Sequence, residues 1–206
     1  MSKQIKKYTT GFTSGALLNK EAQIVIDNLE SAEKFFLGEE DLNQGVLPNN
    51  SEASKKRIKH ELEKRLRAIN NSRFIDLYRY MDQKNKNLIL FYAACRLYPL
   101  LLDFMLEVVL HKWNNIDIEL TSDDFQNFIY KKMTNHEELT EITENTRNKL
   151  SQVALKMMTQ LGMLNKNKLI KLYFNEDLLK SILENGDQWF LKIILMSDNE
   201  INQLLE

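Results

Sequence analysis

Asn145, Lys149, Gln152 and Lys156 recur at i, i+4, i+7 and i+11. On an α-helix this spacing makes one polar stripe. The residue types suit duplex DNA: lysine meets phosphate or guanine, while Asn and Gln can pair bidentately with adenine. Arg147 and Asn148 flank the stripe, and Lys166 and Lys168 follow within an Asn/Lys turn that would set them beside backbone phosphates. These eight residues are the candidate DNA-binding set.

The charge distribution sharpens that choice. From Asp117 to Glu144 there are eight acids and two bases. From Asn145 to Asn175 there are six bases (Arg147, Lys149, Lys156, Lys166, Lys168, Lys171) and no acid. The chain average would put roughly four acids in a stretch of that length. A surface that meets phosphate excludes carboxylates as strongly as it recruits lysines. Over the whole chain the formal charge is only −1, so any nucleic-acid signal is local.

A second basic cluster, Lys55 to Arg67, holds seven bases against Glu61 and Glu63. Two readings stay open. One is a solvated helix face with internal pairs such as Arg57–Glu61 at i, i+4. The other is a second phosphate-contacting surface that includes Lys55, Lys56, Arg57 and Lys59.

Chemistry beyond binding finds little support. His60, His111 and His136 lack ligand-like spacing and read as surface or boundary residues. The one cysteine, Cys95, lies in the apolar run "LILFYAACRLY" and reads as core. No phosphate loop, dinucleotide fingerprint or nucleophile elbow occurs. A non-enzyme is expected, with no cofactor and no metal. The most apolar window, Leu97–Leu110, is too short to span a bilayer and carries Asp103 and Glu107. With no signal-peptide pattern, a cytoplasmic protein with no membrane partner is expected.

The elements that must position these residues are mostly helices. Thr13 or Ser14 can cap a first helix running to about Asn28, and Ala32–Leu37 is a short one. "GEEDLNQGVLPNN" is a loop. Ser51 or Ser54 caps a helix whose Ile58, Leu62, Leu66 and Ile69 form an apolar stripe. Further helices are expected at Arg73–Met81, Lys86–Leu97 and Pro99–Trp113, with Pro99 in a first turn and Tyr98 extended. "NIDIEL" alternates like a short strand. Next come a helix capped by Thr121 or Ser122, a short helix in "HEELTEI", and a long helix from Asn145 to Leu161 stopped by Gly162. Two short strands in "MLNKNKLIKLYF" complete the order of a winged helix-turn-helix. The expected fold is mainly α: a helical bundle (residues 1–114), a winged helix-turn-helix-like module with one small β-hairpin (115–175), and C-terminal helices packing back on the chain (176–206).

Three segments together, "YTTGFTSGALLNKEAQIV", "SEASKKRIKHELEKRLRAI" and "LTEITENTRNKLSQVALKMMTQLGML", resemble the BrxA family. Its members are small components of BREX bacteriophage-defence systems. The resemblance implies a bacterial protein encoded beside a methyltransferase and ATPases, mostly helical, able to bind DNA, and similar to the antitermination factor NusB; the partner expected here is double-stranded DNA. It brings no catalytic residues. The expected function is a non-enzymatic DNA-binding accessory protein. The alternative is an adaptor whose winged helix docks onto other defence proteins such as the methyltransferase or ATPase.

Overall fold

Most helices begin where a capping side chain stands. The computed structural model describes residues 7–48 and 51–206. A 3-10 turn at Gly11–Ser14 precedes α1 (Asn19–Asp27) and α2 (Ala32–Leu37), and a second follows at Gln44–Val46. Next come α3 (Glu52–Ile69), α4 (Arg73–Tyr80) and α5 (Gln83–Leu97). α6 (Pro99–Phe104) continues through a π-helical turn, Met105–Val109, into α7 (Leu110–Asn114). α8 (Ser122–Met133), the short α9 (Glu137–Thr140) and α10 (Glu144–Leu161) lead into the strands β1 (Leu164–Asn165) and β2 (Lys168–Leu169). α11 (Glu176–Glu184), α12 (Gln188–Ile193) and α13 (Asp198–Gln203) close the chain. The protein is thus mainly helical with one small antiparallel sheet.

Ser51, Asp82, Thr143 and Asn175 each accept a backbone N–H from the first turn of the helix they precede. Thr121 donates its own amide to Asp124, which closes a capping box. Such caps satisfy donors that no intrahelical carbonyl can reach. Tyr98 is extended and Pro99 opens α6, as the sequence predicts.

α5 is the central helix and packs most extensively against α3. Every residue from Leu88 to Cys95 is buried. A helix that is apolar all round belongs inside a core, so Cys95 is a packing residue. Among the described residues no single helix is long and apolar enough to cross a membrane; α5 and the following helix together meet that length but are bent by 106°.

The amino-terminal segment departs from expectation. Neither Thr13 nor Ser14 caps a helix reaching Asn28. Leu18 is left-handed (φ 57°) and α1 starts only at Asn19. The cause is Arg65, which is 1% exposed. Its guanidinium donates to the carbonyls of Gly15 (2.8 Å) and Ala16, which draws them toward α3. Its Nε donates to Glu61 at 2.6 Å, and the Tyr98 hydroxyl donates to the same carboxylate oxygen at 2.6 Å. Burial, reinforced by that carboxylate, pushes the Tyr98 phenol up, so it remains a donor. A Cβ at Gly11 would lie 3.1 Å from the Tyr98 ring, a tight contact, so glycine lets the segment lie close to that ring.

Three other boundaries differ. α5 begins three residues earlier than the apolar run suggests, because Asp82 caps it. "NIDIEL" forms no regular strand; Glu119 makes a single antiparallel bridge to Lys168. The helix from Pro99 contains the π turn. The "GEEDLNQGVLPNN" loop ends in Asn49 and Asn50, which lie outside the described residues.

Two ties bear on stability. Lys171, just past β2, holds Glu200 of α13 at 2.5 Å, and Ser197 donates its amide to the same carboxylate at 2.8 Å. Lys171 first and Ser197 second lower Glu200 from the ordinary 4.5 to about 2. A depressed carboxylate stabilises above its unfolded pKa and loses that contribution as pH falls through its folded one. Glu200→Gln is therefore expected to destabilise by about 1 kcal/mol near neutrality. The difference from the parent should fade in urea titrations between pH 4.5 and about 2. Arg65→Ala is expected to cost more, about 3–5 kcal/mol, since it strands a buried carboxylate. Glu61→Gln added to it should recover part of that loss, read from the same unfolding midpoints.

Candidate nucleic-acid interface

α10 is held by a mainly apolar inner face, whose one buried polar residue, Ser151, donates to the Ser122 carbonyl at 3.3 Å. Leu150, Val153, Ala154, Met157, Met158 and Leu161 are buried and pack on α8, α5 and the Gly11–Ser14 turn. Its far end is pinned by polar contacts. Gln160 accepts the Leu17 amide at 2.8 Å, and its carbonyl accepts the Asn87 side chain at 2.7 Å. Gly162, left-handed at φ 94°, ends the helix. The Lys166-Asn167 turn has both residues at positive φ (46° and 63°), as a two-residue type I′ hairpin requires. Leu120 donates to the Asn167 carbonyl (2.8 Å) and Leu169 to the Ile118 carbonyl (2.7 Å), so the hairpin rests on the segment before α8.

This scaffold leaves Asn145, Asn148, Lys149, Gln152 and Lys156 exposed on α10. From Asn145 to Lys156 the stripe spans about 16 Å along the helix axis. Lys166 and Lys168 are exposed on the hairpin. Among the described residues, Lys149, Lys156, Lys166 and Lys168 have no carboxylate at ion-pair distance, whereas Lys171 is bound to Glu200.

Two members of the set, Arg147 and the exposed Asn148, also make contacts within the chain. Arg147 is not a free cation on the stripe. It donates to the Ile142 carbonyl at 2.9 Å and lies 5.5 Å over the Tyr130 ring, clamping the turn into α10. Its Nε is buried without a hydrogen-bond partner. Asn148 accepts from Gln126 of α8 at 2.8 Å. The chain also folds an acid back beside the hairpin: Glu119 stands opposite Lys168 in the ladder. The window without carboxylates is a property of the sequence, not of the whole surface around it.

On α3 much of the basic cluster is neutralised. Lys55 pairs with Glu52 at 2.9 Å, and Lys59 pairs with Glu63 at 3.3 Å and Asp41 at 3.5 Å. Arg67 stacks 4.2 Å over Phe35 and reaches Asp41 at 3.3 Å. The Arg57–Glu61 pair does not form, because Glu61 turns inward to Arg65. Lys56, Arg57 and Lys64 remain exposed and unpaired among the described residues.

His60 and His111 are exposed, while His136 is buried. Its ring stacks on Tyr8 at 4.0 Å, and its Nδ1 lies 3.1 Å from Glu138, which also accepts the Tyr8 amide. Spacing along the chain offers no hint of this cluster, since Tyr8 and Glu138 are 130 positions apart.

The fold has a solved counterpart. An uncharacterized protein from Magnetospirillum magneticum superposes with a TM-score of 0.75 over 92% of this chain and 98% of that one, at 17% identity. At that identity the likeness is one of fold. No curated protein matches the chain. The family model BrxA matches residues 6–186. That match takes in the amino-terminal turn, α3, α10 and the hairpin, and by it the chain belongs to the BrxA family and is a BREX-associated protein.

Proposed function

We propose that this protein is a non-enzymatic accessory that binds double-stranded DNA, with the outer face of α10 entering the major groove. The observation that carries the reading is the exposed, unpaired Lys149 and Lys156 alternating with Asn145 and Gln152 on one face. The order around it supports a winged helix-turn-helix reading of residues 115–175. A bridging segment at Ile118–Leu120, α8, the short α9, α10 and the β1–β2 hairpin follow one another, and the hairpin pairs back onto that segment. In this reading Lys166 and Lys168 sit on the wing beside backbone phosphates. The rest of the chain carries the module, and its cellular role is to hold or present DNA to the other cytoplasmic BREX components.

A specific observation favours a second reading, docking onto a defence protein such as the methyltransferase or ATPase. Ile116, Ile118, Ile170 and Tyr173 are exposed near the same hairpin. Ile116 is also held at φ 61°, a conformation β-branched residues rarely adopt. Apolar side chains of this kind suit a protein partner better than phosphate.

Lys149→Glu with Lys156→Glu separates the two. The variant is expected to keep its helical circular dichroism, because both residues are exposed. Duplex affinity should fall, with the salt slope flattening by about 0.9 for each phosphate no longer neutralised. Gln152→Ala should matter only if the protein reads sequence, since amides specify bases while lysines position the backbone. Unchanged affinity and slope in the double variant would leave the adaptor reading in front, to be followed by pull-down of the other BREX proteins.

Changing Lys55, Lys56 and Lys59 together to Ala should leave duplex affinity nearly unaltered, since two of the three are already paired. A tenfold loss, about 1.4 kcal/mol, would extend the interface onto α3.

A further inference from the structure

A cavity of about 630 Å³ opens between the Thr9–Ser14 segment and the carboxyl-terminal half of α3. Its size lies in the range of small-molecule sites. Its wall is a helical face: Arg57, His60 and Lys64 recur at i, i+3 and i+7. They span about 10 Å along the helix axis, more than a single phosphate covers. Arg57 and Lys64 have no carboxylate partner among the described residues, unlike Lys55, Lys59 and Arg67 on the same helix. Arg57 and His60 also border a neighbouring cavity of about 500 Å³, so they are open to solvent from both sides.

Among the described residues, the only acid lining the cavity is Glu61. Its charge is opposed by Arg65 and its oxygen is bonded to Arg65 and Tyr98. The accessible charge is therefore positive. The remaining lining is of the opposite character: Ala68, Leu97 and the largely buried Tyr98, taken as the floor. Ala68 stands one turn beyond Lys64, so the apolar floor and the cationic wall adjoin. Thr9 and Ser14 also line the cavity.

A ligand that suits both halves carries several anionic oxygens at one end and an uncharged, flat or apolar body at the other. We propose that this cavity binds a nucleoside diphosphate-like ligand, its phosphates held by Arg57, His60 and Lys64 and its base and sugar lying on the Ala68–Leu97–Tyr98 floor. Arginine supplies a fork for two phosphate oxygens and lysine a point charge. Gly11, whose Cβ would crowd the Tyr98 ring at 3.1 Å, keeps that side of the cavity open. The site is separate from α10 and does not depend on the DNA reading.

Calorimetry on the full chain with ADP, adenosine and pyrophosphate tests it. ADP is expected to bind once per chain, and adenosine or pyrophosphate at least tenfold more weakly, since each satisfies one half of the site. Arg57→Gln with Lys64→Gln, both exposed and outside the core, should weaken ADP at least tenfold. Lys149→Glu with Lys156→Glu should leave ADP binding unchanged. No ADP binding at about 1 mM, or ADP affinity indifferent to the Arg57/Lys64 variant, would overturn the proposal. So would tight binding of a 5′-phosphorylated oligonucleotide, lost in that variant, with no binding of ADP, for the site would then serve a nucleic-acid strand.

Discussion

The Glu61–Arg65 pair holds the amino-terminal segment where the rest of the structure needs it. Arginine and glutamate one turn apart usually make a weak surface pair. Here both are buried, and their remaining hydrogen-bonding capacity is met by the Gly15 and Ala16 carbonyls and by Tyr98. A buried ion pair is tolerable only when its spare donors and acceptors are satisfied in this way. In return, two carbonyls that a helix would have used are directed into α3, and the chain passes from the 3-10 turn to α1 through a left-handed Leu18.

The consequence reaches α10. The Gly11–Ser14 turn packs between α3 and α10, and the Leu17 amide just beyond it is taken by Gln160. Asn87 of α5 holds the other side of that residue. The carboxyl-terminal end of the candidate recognition helix is thus fixed to the bundle by side chains rather than by a covalent neighbour. The terminal helices are fixed similarly: Asp187 accepts from Arg96, Tyr92 and Trp189. Burial raises the Tyr92 phenol, and its bond to Asp187 raises it further, so it stays a donor. The exposed face of α10 is therefore presented by a helix tied to the bundle by packing and hydrogen bonds, which suits recognition by shape and charge.

Counting bases along the chain overstates how many are available. Of the cations on α3, several are neutralised by acids on the same helix or on the preceding loop, and Arg65 is buried altogether. On α10 and the hairpin the opposite holds for four lysines, and Arg147 is the exception. Its stacking on Tyr130 and its bond to Ile142 make it a structural residue of the turn. The same distinction separates Lys64, exposed and unpaired among the described residues, from Lys59, paired with Asp41 and Glu63.

Much of the architecture was legible in the sequence because it is local. Ser51 and Thr121 lie within three residues of the amides they serve, and Gly162 is among the few residues that take a left-handed helix end without strain. The apolar periodicity of α3 and α10, the hairpin at Lys166-Asn167 and the outward stripe on α10 follow from the same short-range rules. What the sequence could not decide was set by partners far away in it. α1 starts late because Arg65 captures carbonyls 49 and 50 positions earlier. Lys59 loses its free charge partly to Asp41, Lys171 to Glu200, and the carboxylate-free stretch gains Glu119 as a neighbour. Hydrogen bonds and ion pairs act over a few ångströms of space regardless of chain separation, so which charges are left to meet a ligand is determined only once the chain has folded.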